Sequence, residues 1–312
     1  MARDLRAPLI WPVVDRLLAR LDADGLRAHG LVPLAAERIR SRGEDVPQEF
    51  LQEERAAKMA NLIAPSVLTR AREAYEGPMI VLKGPEVSAL YPGRARMLVD
   101  LDLLVADAPA AWKSLLAVGF ESADRLERVL PSFYHLNPIE LPGFPLPIEL
   151  HKSAKWPPGL HPPPNEVLFE AAVPASVEVQ GLLAPAPAHH TLLLAGHAWA
   201  ERPLGRFRDL IDVALMADGI DPRELEQTAS QWGWGRVWHT TSAAIEWLIE
   251  DAPRPAPLRL WARHLGDVRE PTARELQLRR WLSPFWALPP ASAVREIAYD
   301  VKKSLIGRGS ES

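Results

Sequence analysis

None of the 312 residues is cysteine, which removes disulfides, thiolate metal ligands and a cysteine nucleophile together and suits a reducing cytosol. A run of about 18 uncharged apolar residues is also missing, so no membrane-spanning helix is expected. Met1-Ala2-Arg3-Asp4 leads into an interrupted amphipathic pattern instead of the apolar core of a secretory signal, and a cytoplasmic location is the expectation. Strong positive charge is absent as well. A formal net charge of −4 speaks against nonspecific nucleic-acid binding, since coating phosphates needs a cationic surface, but it leaves room for a small basic pocket. What is present is an ordinary globular composition, 47% apolar and 24% charged, long enough to bury a sizeable core in one large or two ordinary domains.

Residues 1–77 read as an N-terminal helical extension. Over 48–75, Leu51, Ala56, Met59, Leu62 and Ile63 recur near helical spacing, Pro65 should kink or break that helix, and Glu76-Gly77-Pro78 ends it. The character then changes. Met79-Ile80-Val81-Leu82 is a short apolar run that predicts a buried strand stopping at Lys83-Gly84, and Pro85 and Glu86 suit the first turn of a helix to about Tyr91. Met97 to Val105 reads as a second strand, 109–118 as a helix, and Leu146 to His151 as a third strand. Residues 78–155 therefore make a small α/β core. Eight prolines within 156–187 mark that stretch as a linker with one short helix, and helical patterns fill 188–312 as a C-terminal domain. Nine of the eleven tryptophans lie between 156 and 286, a density that usually anchors a helical core. Lys302-Lys303 and Arg308 read as a solvated tail.

The chemistry concentrates around Asp100-Leu101-Asp102. Side chains alternate across a strand, so the two aspartates share one face while Leu101, Leu103 and Val105 take the other. Two like charges so close need a cation between them, and Mg²⁺ (or Mn²⁺) with oxygen ligands is the natural occupant. Glu149, between Ile148 and Leu150, would complete a three-carboxylate site from a neighbouring strand. Such a site neutralises a triphosphate and aligns the attacking oxygen in phosphoryl transfer. Lys83-Gly84, at a strand end entering a helix, offers a triphosphate cradle. Each feature has an ordinary alternative: an outward-facing surface strand, a glutamate paired with an arginine, a solvated strand-end lysine. Their occurrence in this order within about 70 residues favours the joint reading. His151 shares a face with Glu149 and either reaches the site or packs. His190 and His197, seven apart on one helix face, lack a third ligand and read as packing or capping residues. Arg206, Arg208, Asp209 and Asp212 read as helix-surface ion pairs, with a phosphate grip by Arg206 or Arg208 as the alternative.

The order LKGPEVSALYPGRARMLVDLDLLV, followed by PIELHKS, resembles the uncharacterised nucleotidyltransferase family of the polymerase-β-type superfamily. Its features here are Leu82-Lys83-Gly84, Tyr91 before a turn, Arg96 four residues ahead of Asp100-Leu101-Asp102, and Glu149-Leu150-His151. The resemblance implies metal binding by Asp100, Asp102 and Glu149, and phosphate or active-site support from Lys83, Gly84 and Arg96. His189 to Met216 is similar to the family's helical segment, with an arginine-rich stretch leading to Asp212. Two departures stand out. Pro85 occupies the place where the superfamily commonly has Ser or Gly, which removes a hydroxyl that touches the γ-phosphate and leaves Ser88, one turn later, as its substitute. The third acid is Glu where Asp is commoner.

The resulting expectation is an α+β protein: a small mixed-sheet nucleotidyltransferase core with N-terminal helices and a C-terminal helical domain, the site lying in the cleft between core and helical domain. It would transfer NMP from an NTP such as ATP to an acceptor, with Glu149 also serving as base. A small-molecule acceptor is favoured over RNA or protein. The rival readings are a catalytically silent nucleotide- or partner-binding relative, and a toxin-like transferase acting on RNA or protein.

Overall fold

The computed structural model describes residues 7–122 and 134–298. Met1 to Asp4 and the tail residues Lys302, Lys303 and Arg308 lie outside the described residues. Four helices come first: α1 (Ala7–Leu18), α2 (Ala23–Ala28), α3 (Val32–Ser41) and α4 (Leu51–Ala74). Pro65 does not end α4, which runs 24 residues through it. An interior proline costs about 3 kcal/mol, but Ala60, Ala64, Val67, Leu68 and Ala71 are buried against the sheet along the same face. At roughly 1.5–3 kcal/mol for each fully buried large aliphatic side chain, that packing outweighs the lost hydrogen bond.

The central portion supplies β1 (Met79–Val81), α5 (Pro85–Ser88), β2 (Leu101–Val105), α6 (Ala108–Ala117), β3 (Glu121–Ser122), β4 (Ile139–Leu141) and β5 (Phe144–His151). The proline-rich segment holds one short helix, α7 (Asn165–Glu170). It also holds two strands that its composition conceals, β6 (Val173–Pro174) and β7 (Leu183–Ala184). All seven strands form one mixed sheet in the order β3-β4-β5-β2-β1-β7-β6. β1 runs antiparallel to β2, and β2 parallel to β5. β2 starts at Leu101, later than the apolar pattern implied. Its partner β1 ends at Val81, and the chain turns away at Gly84, so residues 97–100 have no β1 residues beside them.

Helices close the chain: α8 (Pro187–Glu201), α9 (Phe207–Ala217), α10 (Pro222–Gln231), α11 (Gly235–Glu250), α12 (Ala256–Leu260), α13 (Arg263–Asp267) and α14 (Ala273–Ala287). The sheet separates two apolar cores. Met79, Val81, Leu101, Leu103, Ile148 and Leu150 face α4 and α6. Ile80, Leu82 and Leu104 face the other way, into a larger core built from α8, α9, α11 and the buried rings of Trp156, Trp234 and Trp261. Ile10, Val13, Val14 and Leu17 of α1 belong to that second core, so the first helices pack with the last ones. The tryptophan-rich region is a packed helical core, as its density implied. Asp102, Glu149 and His151 alternate with the residues of the α4–α6 core, and so emerge on the side of the sheet that meets the C-terminal helices.

Candidate functional site

The site begins at a turn. Gly84 holds φ +75°, a backbone conformation that glycine adopts without the penalty a Cβ brings. The chain thus leaves β1 sharply while Lys83 stays beside β2. Lys83 Nζ lies 3.1 Å from Asp102 Oδ2 and 3.7 Å from Asp100 Oδ1. It also lies 3.1 Å from His197 Nε2 on α8.

β2 and β5 bring the other acids together. Their parallel register sets Asp102 directly opposite Glu149. His151 Nε2 donates to Asp102 Oδ1 at 2.8 Å and lies 3.7 Å from Glu149 Oε2. His135 approaches the same glutamate, with Nε2 at 3.6 Å from Oε2. One ligand atom from each of Asp102, Glu149 and His151 lies within 4.8 Å of the other two. Asp100, one residue ahead of β2, is joined to this trio through Lys83.

Charge is balanced within the group. Burial works against ionisation of Asp102, yet Lys83 and the His151 hydrogen bond hold its carboxyl far below the usual range. Asp100 moves the opposite way, raised first by burial and then by Asp102. Burial also opposes a charge on His151, but Asp102 and Glu149 raise it to about 9. Lys83 stays a cation despite burial because Asp102 and Asp100 flank it. Burial, then Lys83, push His197 down to about 3, so it meets the lysine as a neutral acceptor.

These residues fit a divalent cation. Asp102 Oδ2 is buried, with the Lys83 ammonium 3.1 Å away in the place a metal cation would take. A cavity of about 20 Å³, walled by Lys83, Asp102, His151 and His197, lies beside it, which is room for one water- or ion-sized occupant. The donor set is mainly carboxylate oxygen, the chemistry Mg²⁺ and Mn²⁺ prefer. With Nε2 committed to Asp102, His151 serves as a clamp on a ligand more than as a ligand itself, in the way outer-shell partners orient metal-binding groups. Lys83 and His197 also border a larger cleft of about 190 Å³, whose far wall carries Arg206 and Arg208.

Not every expected residue faces this cleft with a free group. Ser88 is fully buried and its hydroxyl donates to Asn61 Oδ1 at 2.6 Å, so it does not stand in for the missing γ-phosphate contact. Arg96 borders the cleft, but its guanidinium is spent. Nε donates to Asp212 Oδ1 at 2.8 Å and Nη2 to Oδ2 at 2.7 Å. Asp212 is correspondingly a buried anchor and no surface ion pair; Tyr91 adds a hydroxyl donor at 2.6 Å. Arg206 and Arg208 do line the cleft. They share the Asp209 carboxylate at 3.1 and 3.5 Å, and Arg208 Nε is buried without a partner. His190 packs as expected, bonding the Leu82 carbonyl oxygen at 2.6 Å through Nε2. His197 reaches the site, as does Glu201, which pairs with Lys155 at 2.7 Å. Their signal was the shared helix face of His190 and His197, which the missing third ligand had argued down.

The chain is an α+β protein whose mixed sheet presents paired acids and a lysine toward the C-terminal helices. The chain belongs to the uncharacterised nucleotidyltransferase family, whose model matches residues 23–249, well over half its length. No curated protein and no solved structure matches it. Among the described residues no helix is long and apolar enough to cross a membrane.

Proposed function

We propose that the protein transfers NMP from an NTP to an acceptor and releases pyrophosphate, using Mg²⁺ or Mn²⁺. The observation that carries this reading is the register of Asp102 against Glu149, with Asp100 and Lys83 alongside; Asp102 and Lys83 wall an ion-sized cavity, and Lys83 and Asp100 border the larger cleft. Asp100, Asp102 and Glu149 would hold the cation, which neutralises the triphosphate and favours in-line attack. Lys83 occupies the position of that positive charge beside both aspartates, and from there its ammonium group swings to a phosphate oxygen. Arg206, between Asp209 and Glu201, and Arg208 beside Asp209 grip the triphosphate from the opposite wall. His151 orients Asp102. Glu149, partly exposed where Asp102 is buried, accepts the proton of the attacking hydroxyl.

The test is pyrophosphate release from each NTP, with and without Mg²⁺ or Mn²⁺, by the wild type and by an Asp100→Asn, Asp102→Asn double variant. Metal-dependent turnover is expected in the first and none in the second, with an unchanged circular dichroism spectrum. Undiminished turnover in the variant ends the assignment. Nucleotide binding by the wild type with no pyrophosphate from any NTP identifies a silent scaffold instead.

A further inference from the structure

Beyond Glu201 lies a second cavity, of about 350 Å³, lined by Pro157, Pro158, Trp199, Pro203 and Arg279. Glu201 borders both this cavity and the nucleotide cleft, so the two spaces share a wall. Arg279 comes from α14, and its Nη1 stands 3.0 Å from where a Cβ on Gly205 would be. The absence of a side chain at 205 therefore seats the guanidinium against the α8–α9 connection. Leu204, next to it, keeps φ +45° while buried, a strained conformation that the surrounding packing over-determines. The connection carrying Arg206 into the cleft is in this way tied to the wall of the second cavity.

Arg279 is partly buried and, among the described residues, forms no ion pair; the charges that bear on it most are Arg202 and Arg206, while Glu201, Arg280 and Glu296 share its cavity wall. Burial, followed by those two arginines, pushes its guanidinium below the usual value. A partly desolvated cation among like charges is costly unless an anion joins it. Glu201 does not fill that role, because Lys155 holds it at 2.7 Å. Proline rings and the Trp199 indole give the same cavity flat apolar walls.

We propose that this cavity is the acceptor site, and that the acceptor is a small molecule with a carboxylate or phosphate for Arg279 and a flat or apolar body against Trp199 and the prolines. The assignment rests on the nucleotidyl-transfer reading above. An acceptor hydroxyl oxygen bonds to the α-phosphorus of the NTP as the α–β bridging P–O bond breaks. Pyrophosphate leaves with that electron pair and Glu149 takes the hydroxyl proton.

The experiment is calorimetric titration of the full chain with benzoate and phenyl phosphate, against benzyl alcohol and benzylamine. The two acids are expected to bind at least about tenfold more tightly than the alcohol or the amine, the worth of one charge-assisted hydrogen bond. Arg279→Met loses that preference, Arg279→Lys keeps part of it, and the Tm of Arg279→Met stays at or above that of the wild type because a like-charge repulsion is gone. A crystal soaked with 4-bromobenzoate places the ring: bromine between Trp199 and Arg279 supports the site, and bromine against Arg206 and Lys83 overturns it. Equal affinities in the wild type and Arg279→Met, or no binding of either acid by the wild type up to about 10 mM, also overturn it. Mg²⁺·ATP titrations judge the transferase reading separately. ATP binding that survives Arg279→Met while benzoate binding is lost supports both readings. Arg279-dependent benzoate binding by a wild type that ignores ATP sinks the transferase reading and reduces the cavity to an anion site.

Discussion

Replacing Asp212 by alanine removes the one carboxylate that ties the sheet portion to α9 through Arg96 and Tyr91. Arg96 makes two bonds to it, at 2.8 and 2.7 Å, and the Tyr91 hydroxyl a third at 2.6 Å. All three residues are buried, so water cannot replace what is lost. Burial works against a charge on Asp212, but Arg96 outweighs it and holds the carboxyl below its usual range. That stability is present above pH 3.8 and lost as the pH falls through the lower folded-state value. Stranding a buried guanidinium in this way costs about 3–5 kcal/mol. With a urea m-value of about 3 kcal/mol/M, the unfolding midpoint should fall by at least about 1 M. The paired variant Arg96→Met, Asp212→Leu removes both charges and should recover most of the loss, because it leaves no uncompensated ion. Urea denaturation followed by circular dichroism checks both outcomes. A loss below about 1 kcal/mol for Asp212→Ala, or a paired variant no more stable than the single one, refutes the reasoning.

Three other perturbations follow from the same structure. Lys83→Met takes the ammonium from Asp100 and Asp102, so the metal-free Tm should fall, and added MgCl₂ at constant ionic strength should raise it more than in the wild type; equal responses contradict the placement of Lys83 in the cation position. His190 is held down to about 4 by burial from a reference of 6.5, so the unfolded chain binds the extra proton first as the pH drops. Its contribution is intact above pH 6.5 and fades toward pH 4, worth about 3 kcal/mol in full; His190→Gln should flatten that limb of the stability curve, and an unaltered slope counts against it. Gly84→Ala places a Cβ 3.6 Å from the Asp100 carbonyl oxygen, an ordinary contact, so its cost is the positive φ alone. That is about 1–3 kcal/mol by urea denaturation, and a neutral substitution would show that the turn is not held as described.

The elements readable along the chain were those whose cause is local. β1 and β5 announce themselves as apolar runs bounded by Gly or Pro, and α4 by its periodicity. β6 and β7 have two residues each, too few for any period, and they lie among prolines. What holds that segment is remote: the Glu86 carboxylate accepts from the Ser176 and Val177 amides at 3.0 Å, contacts 90 and 91 residues apart in the chain. The joining of α1 to α11 has the same character, since an amphipathic helix records that it has a buried face but not which element covers it.

The site divides along the same line. Alternation of side chains is a property of two or three residues, and so a shared face for Asp100 and Asp102 followed from one apolar run alone. Which strand lies beside which is remote information, and β2 pairing with β5 had to be supplied by the apolar runs that make both of them central. The basic half is remote throughout. Lys83 meets His197 across 114 residues and Arg96 meets Asp212 across 116. The family resemblance made Arg96 look like a phosphate ligand, whereas a buried guanidinium takes the nearest carboxylate able to accept two bonds, and α9 provides one. Arg206 and Arg208 follow from the same physics: Arg206 is held by Asp209 and Glu201 together, Arg208 by Asp209, and both stay on the cleft wall. In this protein the acids can be found by spacing, but which cations remain free for a phosphate is decided only after every other carboxylate in the fold has claimed its partner.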